Sequence, residues 1–544
     1  MNSLREKKVI NSALWAAAGD AIGWISELTD ENGLKRRIGS NYLLKPVNWQ
    51  RKIGGYSGVT VSLPAGTYSD DTQLRLAVSR SIRSNGEFDA ESFAKIELPV
   101  WLSYALGAGR ATKLAATNLI RKDTNWFSNF YRNNNIEYTQ SGGNGTSMRI
   151  QPHVWCSKNL SKRLYLPSVI KDSLITHGHL LAVCGAVLHA DALQYALLNG
   201  KPAGPMELER FIDDFSFIPD VINGIYELKN FWLPNWEAIS GNNINVEIER
   251  IRVESRALLT NAIDSSSIYV EPSEKYQSAI VALECDKESR RGTATNTAIA
   301  SSLLCYFFKN STPYEAITSC VNCLGTDTDS IASMAGAILG CYSEKPQWDI
   351  QDSKYIIDDA IRLNNIAEGV QTKNFNYPNI IRWQPPQTQG DSLVKDADGI
   401  YHIIGLGQVS FLNSVIWQTK NHSWQWVMFN FGQTVLVKNK LGEVRVAEPH
   451  LLENNNHSSK TPPATPSNNE IKQYKYEQGV LDYEYNQINH LDIDDITSSL
   501  IKNGFDKQSI GHYLIEFADK KGLESSIAFA AIIAKAFISR KKRQ

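Results

Sequence analysis

Two short segments combine carboxylates with hydroxyls: Ser69-Asp70-Asp71-Thr72, opening the run DTQLRLAVSRSI, and Asp327-Thr328-Asp329-Ser330, opening DSIASMAGAILG. Each reads as the start of a helix. A single aspartate or serine there is ordinary capping, because its oxygen satisfies free backbone N–H groups and negative charge suits the helix dipole. Two carboxylates within three residues, twice, ahead of small-residue helices that should be buried, exceed what capping requires. Clustered carboxylates repel one another and are costly to bury unless a cation neutralises them. The pattern therefore predicts bound metal, and the four aspartates suffice for a pair of ions. With oxygen donors alone in these clusters, hard ions such as Mg²⁺, Mn²⁺ or Ca²⁺ fit better than Zn²⁺. A metal pair of this kind bridges a water, lowers its pKa and polarises the bond under attack.

Weaker signals surround these clusters. Glu27, in GDAIGWISE, suits a ligand acting through water or a general acid/base, although taken alone it reads as a solvated glutamate at a helix end. The run Ser141-Gly142-Gly143-Asn144-Gly145-Thr146-Ser147-Met148-Arg149 lets backbone amides approach a diphosphate or ribose, against the plainer reading of a glycine turn. His177, in LITHGHLL, suits contact with a ribose hydroxyl or a structural place at a helix end. Cys320 and Cys323 form a CxxC inside a helix-like run and read as packing, since no second ligand pair accompanies them.

The elements that must position these residues are mostly helical. From about residue 8 to 370, alanine- and leucine-rich runs such as VINSALWAAAGDAIGWISE and HLLAVCGAVLHADALQYALL present small residues on one face, which predicts a helical bundle. A polar stretch at about 200–280 stays unassigned. After Pro385 and Pro386, β-branched and aromatic runs alternate with glycine and asparagine turns. The predicted fold class is mainly α: a helical domain over 1–380, a small β-rich domain over 388–450, a flexible linker over 452–475 and a helical segment over 476–544. At 544 residues, two or three domains are expected. Lysine plus arginine is 56 and aspartate plus glutamate 57, which argues against a general polyanion binder but leaves room for local basic patches. The basic tail reads as a solvated terminus that favours the helix dipole. The charged start, the lack of any stretch approaching about 20 apolar residues, and seven scattered cysteines predict a cytoplasmic protein in a reducing compartment, without a membrane.

In order, GDAIGWISE, YSDDTQLRLA, GAGRATKLAATNL, GGNGTSMRIQPH, THGHLLAVCGA and CVNCLGTDTDSIASMAGAILGCY resemble the ADP-ribosylglycohydrolase family over most of residues 8–345. That resemblance implies an all-helical fold with two Mg²⁺ ions in a central cleft. It implies Ser69, Asp70, Asp71, Asp327, Asp329 and Ser330 as metal ligands, with serines at the first and last positions where the family usually has threonines. It further implies a functional role for Glu27, contact of Gly143, Asn144, Gly145 and Ser147 with the diphosphate and distal ribose, and a place for His177 near the adenosine. The implied activity is hydrolysis of the bond between ADP-ribose and a modified target. Arginine in a protein is the favoured acceptor, ahead of serine or a nucleic-acid base. Catalysis would involve Glu27, Asp70, Asp71 and Asp329. A non-catalytic ADP-ribose binder would be expected to lose an acidic ligand, and a phosphohydrolase would need more cationic side chains than Arg149. The segments beyond residue 388 fall outside the usual family domain and suit target selection or a protein partner.

Overall fold

The computed structural model describes residues 3–55, 57–412, 414–452, 493–502 and 504–541. Apart from residue 452, the expected linker lies outside these residues, as does the stretch 476–492. The helices that build the core and the site are α1 (Leu4–Ser26), α2 (Asp70–Arg80), α3 (Arg110–Asn118), α4 (Leu166–Thr176), α5 (Leu180–Asn199), α6 (Ala294–Phe307) and α7 (Thr328–Gly340). The architecture is mainly α, as the periodicity predicts.

Ser3 starts α1 by accepting the Glu6 N–H, and the helix then runs through alanines with no internal proline. From Asn11 onward every residue of α1 is buried, and so is every residue of α7. A helix without a polar face belongs inside a core, and these two lie against each other. Glycines set how closely they approach. A β-carbon at Gly19 would stand 2.1 Å from the Ala332 carbonyl oxygen, and one at Gly336 would stand 2.2 Å from that of Trp15. Glycine at these positions lets one backbone rest on the other.

Helices α5 and α6 form the next layer, where Gly185 faces Ala294 in the same manner. By length and composition Leu180–Asn199 is apolar enough to cross a membrane, which corrects the expectation that no stretch approaches that length. Its most apolar window is 83% buried inside the protein, so core packing accounts for the composition. All seven cysteines are free thiols, and Cys320 lies buried with its thiol against the Tyr276 hydroxyl, in keeping with the packing reading of the CxxC.

A hairpin that the sequence reading did not anticipate, β1 (Trp49–Ile53) with β2 (Val59–Leu63), interrupts the helices. Beyond residue 390 the β-branched runs form an antiparallel sheet of β3 (Leu393–Lys395), β4 (Tyr401–Ile403), β5 (Gly407–Phe411), β6 (Trp417–Gln418), β7 (His422–Phe429) and β8 (Thr434–Lys440). Its longest pairing, β7 with β8, closes through a turn in which Gly432 takes φ +104°. This sheet lies in the same compact unit as the helical body. The β8 Lys438 N–H donates to the Ser103 carbonyl at 2.8 Å, and the buried Arg80 guanidinium donates to the Gln433 side chain at 2.6 Å. Arg80 also forks onto both Glu97 oxygens at 2.8 Å each, so this buried guanidinium ties the end of α2 to the helical segment at residues 93–97 through an ion pair and to the β7–β8 turn through Gln433.

A second unit takes in residues 222–238 from the stretch left unassigned by sequence, together with α8 (Ile493–Lys502), α9 (Lys507–Lys521) and α10 (Leu523–Lys541). Its core gathers Ile493, Leu500, Phe505, Phe517, Phe529 and Ile533, with Tyr226 packed against them. The segment 222–238 thus supplies part of the surface on which the C-terminal helices bury their apolar faces.

Two substitutions probe these contacts. Gly336→Ala should cost about 1–3 kcal/mol by overpacking α1 against α7, read as a lower urea midpoint. Glu97→Ala should cost about 3–5 kcal/mol, because it leaves the Arg80 charge buried and unpaired; an unchanged midpoint would show that the pair contributes nothing.

Candidate functional site

The two acidic helix starts, 256 residues apart between Asp71 and Asp327, open on one cleft of about 600 Å³. Ser69 is the N-cap of α2, accepting the Asp71 N–H at 3.3 Å. Asp327 is the N-cap of α7 without a side-chain capping bond, which leaves its carboxylate available to the cleft. One carboxylate oxygen each from Glu27, Asp327 and Asp329 lie within 4.8 Å of one another. The Ser330 hydroxyl lies 3.5 Å from Asp71 Oδ1, which brings the two helix starts together.

Asp71 Oδ2 is buried with no hydrogen-bond partner. Burial pushes the Asp71 and Asp329 carboxyls well above the usual range, and neighbouring acids push in the same direction. Asp70 rises to about 7, chiefly through burial, while the Ala108 N–H opposes the rise. So many desolvated acids around an unpartnered oxygen are what a divalent cation relieves. An oxygen-only donor set with two hydroxyls fits a hard ion, and the residues present fit the metal that the sequence pattern predicts.

Asp70 is held by strained backbone. Its N–H donates to the Leu106 carbonyl at 2.7 Å, and its Oδ1 accepts the Ala108 N–H at 2.7 Å. Gly107 takes φ +95° and Ala108 φ +79°, a region that alanine rarely enters and that aims the amide at the carboxylate. A β-carbon at Gly107 would stand 2.5 Å from Asp70 Oδ1.

Sequence reasoning passed over the residue that organises this arrangement. Asp20 is fully buried in α1 and accepts the N–H groups of Ser69 and Thr72, each at 2.9 Å, so it caps α2 from another helix. The available signal was a carboxylate set among alanines and glycines in a helix with no polar face. Arg51, on β1, was also missed; it bonds Glu27 at 2.8 Å and lies 4.9 Å over the Trp24 ring. Nothing in the local sequence marks it, because the pairing depends on where the hairpin folds back.

The glycine run crosses the other side of the cleft. Gly143, Asn144 and Gly145 line it together with His177. The Asn144 N–H donates to the Gly292 carbonyl at 2.8 Å, and its side-chain amide donates to Asp327 Oδ2 at 2.9 Å. Ser147 and Ser69 have no exposed surface; Ser147 sits behind the wall, and Ser69 heads the acidic start of α2 directly before Asp70. His177 accepts or donates at Nδ1 with Thr176 at 2.8 Å, and burial together with Arg149 lowers its pKa to about 3, so it is neutral. Arg149 is buried, paired with Asp172 at 2.8 Å and donating to the Gly145 carbonyl at 3.0 Å. It therefore braces the glycine loop and is not a clamp for a transferring phosphoryl group.

The family model for ADP-ribosylglycohydrolase matches residues 1–347, more than half of the 544-residue chain. The chain belongs to the ADP-ribosylglycohydrolase family. Among curated proteins it is similar to the ADP-ribosyl-[dinitrogen reductase] glycohydrolase of Rhodospirillum rubrum, 24% identical over 219 residues that cover 39% of this chain and 67% of that protein. Among solved structures it is similar to an ADP-ribosylglycohydrolase-related protein complex at 17% identity and TM-score 0.43, covering 67% of this chain and 99% of that one. Both acidic helix starts, Glu27 and the glycine run fall within the residues matched to the family, whereas the sheet of β3–β8 lies beyond them.

Because Asp20 holds α2 in place through two backbone bonds, Asp20→Asn should weaken divalent-metal binding by about 10- to 100-fold without removing a proposed ligand. Titration with Mn²⁺ followed by electron paramagnetic resonance measures this directly; unchanged affinity would reduce Asp20 to a packing role.

Proposed function

We propose that the chain hydrolyses the glycosidic bond between ADP-ribose and an acceptor group, with two Mg²⁺ ions, replaceable by Mn²⁺, held by Ser69, Asp70, Asp71, Asp327, Asp329 and Ser330. The observation that carries this reading is the meeting of two acidic helix starts, with Glu27, in one cleft of a glycohydrolase-family chain. When bound, such ions supply Lewis acidity towards the ribose hydroxyls and lower the pKa of a water.

The chain's own residues supply the rest. The amides of Gly143 and Gly145 receive the diphosphate, and Asn144, fixed on Asp327, sets the distance from diphosphate to reacting ribose. Neutral His177 contacts a ribose hydroxyl without adding charge. Glu27, oriented by Arg51, takes the proton of the water that attacks the anomeric carbon. As the bond to the acceptor breaks, positive charge develops on the ring oxygen and anomeric carbon, and the carboxylates of Asp70, Asp71 and Asp329 stabilise it. The acceptor leaves with a proton, and free ADP-ribose is the other product. A protein arginine is the acceptor that the resemblance favours, and the Rhodospirillum rubrum relative, by its name a glycohydrolase of ADP-ribosyl-[dinitrogen reductase], is consistent with a protein-borne one.

Release of free ADP-ribose from an ADP-ribosyl-arginine protein should require Mg²⁺ and should fall at least about 100-fold in Asp70→Ala and in Asp329→Ala, because each removes both a ligand and transition-state charge. Glu27→Gln should lose turnover to a similar degree while its Mn²⁺ affinity stays within about threefold, which separates a base from a ligand. Release that persists after chelation would sink the metal-dependent reading, and metal-dependent binding of ADP-ribose without release would mark a binding protein.

A further inference from the structure

A second cavity, of about 340 Å³, opens beside the catalytic cleft, and the two share Arg51 and Gly107 as lining. One wall comes from the helical body, with Trp24 of α1 and Lys113 of α3. The opposite wall comes from the C-terminal sheet, with Trp424 of β7 and Lys438 of β8. Four cations, Arg51, Lys52, Lys113 and Lys438, line the cavity, and among the described residues no carboxylate does.

Two of these charges, Arg51 and Lys438, are held in place. Arg51 lies over Trp24 and bonds Glu27 at 2.8 Å. Lys438 Nζ stands 5.5 Å from the centre of the Trp424 ring and donates to the Gln389 side chain at 3.2 Å, while its backbone N–H pins the strand to Ser103. Burial lowers the Lys438 pKa, a cost that a bound anion would offset.

The cavity also adjoins the acidic cluster. The glycine loop meets the cluster through Asn144 and Asp327. The cavity meets it at Gly107, beside Asp70, and at Arg51, the partner of Glu27. With the diphosphate on the glycine-loop side, the acceptor half of the substrate extends away from that loop, past Gly107, where this cavity opens.

We propose that the cavity receives the acceptor half of the substrate and selects one bearing phosphate, so that the bond cleaved joins ADP-ribose to a nucleic-acid strand or another phosphate-bearing group in preference to arginine. The inference rests on the hydrolase reading of the neighbouring cleft. A guanidinium placed here would be repelled by Lys113 and Lys438, by about 1 kcal/mol for each that it approached to about 4 Å at water's dielectric, and more where water is excluded. A phosphate reverses the sign of each of those interactions, and lysine and arginine are its usual partners. A volume of 340 Å³ falls within the range of about 300–1,000 Å³ typical of sites for molecules the size of a nucleotide. In the reaction, water oxygen bonds to the anomeric carbon, the bond from that carbon to the acceptor oxygen breaks, and the phosphate leaves with the proton; no oxidant or further reactant is needed.

The test compares kcat/KM of the full chain with Mg²⁺ on three substrates: an oligonucleotide carrying ADP-ribose on its terminal phosphate, ADP-ribose 1″-phosphate, and an ADP-ribosyl-arginine peptide. The phosphate-bearing substrates should be preferred, and Lys438→Glu should lower their kcat/KM about tenfold, the weight of one charge-assisted hydrogen bond, with Lys438→Arg restoring it. The arginine peptide should not lose activity in Lys438→Glu. Activity on the oligonucleotide alone would identify nucleic acid as the source of the phosphate, and equal activity on both would identify the phosphate itself. A preference for the arginine peptide, with all three substrates indifferent to Lys438→Glu, would overturn the proposal. Should none of the three be hydrolysed, the hydrolase reading falls separately, and calorimetric titration with a 5′-phosphorylated dinucleotide decides the cavity: binding weakened by Lys438→Glu supports the assignment, and binding absent or unchanged overturns it.

Discussion

Where Gly19 and Gly23 of α1 face Ala332 and Asp329 of α7, the two helices approach until no β-carbon fits between them. This contact sets the site, because both helices carry its chemistry at the ends that meet. Asp20 and Glu27 lie on or just past α1, and Asp327, Asp329 and Ser330 open α7. A β-carbon at Gly23 would stand 2.5 Å from the Cα of Asp329 itself, so the spacing between Glu27 and the acids of α7 is fixed by backbone packing and does not depend on flexible side chains. A metal site needs that rigidity, since repelling carboxylates would otherwise move apart.

The other acidic cluster is tied to the same helix by different means. Asp20 reaches out of α1 to two amides of α2, and Leu106 and Ala108 hold Asp70 from the following loop. At its far end α2 carries Arg80, whose pairing with Glu97 and Gln433 brings in the C-terminal sheet. One short helix thus connects the acidic cluster to an element that lies outside the residues matched to the family. The sheet therefore lines a cavity beside the cleft, while the clustered acids stay on the helical body.

Much of the site was legible in the chain because its signals are local. Two carboxylates at a helix start, a glycine run and a glutamate at a helix end are patterns within a few residues, and the structure gathers Glu27, Asp70, Asp71, Asp327, Asp329 and Ser330 around one cleft. The helical class was legible for the same reason, since alanine and leucine at helical spacing persist over long runs. Arg149 was read as weak evidence for a phosphate clamp, and only its burial against Asp172 shows that it braces a loop. The β1–β2 hairpin went unseen because five-residue strands carry too little pattern to stand out among helices.

By itself the sequence determined where carboxylates and hydroxyls cluster at helix starts, which long segments are helical, and where the C-terminal β structure begins, because each depends on residue type and near-neighbour spacing. Tertiary structure alone decided that Asp20 caps a helix to which it is not joined, that Arg51 reaches Glu27, and that residues 222–238 complete the core of the C-terminal helices. It also decided that Lys438 belongs beside Lys113, 325 positions earlier in the chain. Those pairings follow from how helices stack and how a sheet docks, and the energy that selects them comes from burying whole faces at once, which no local stretch of residues encodes.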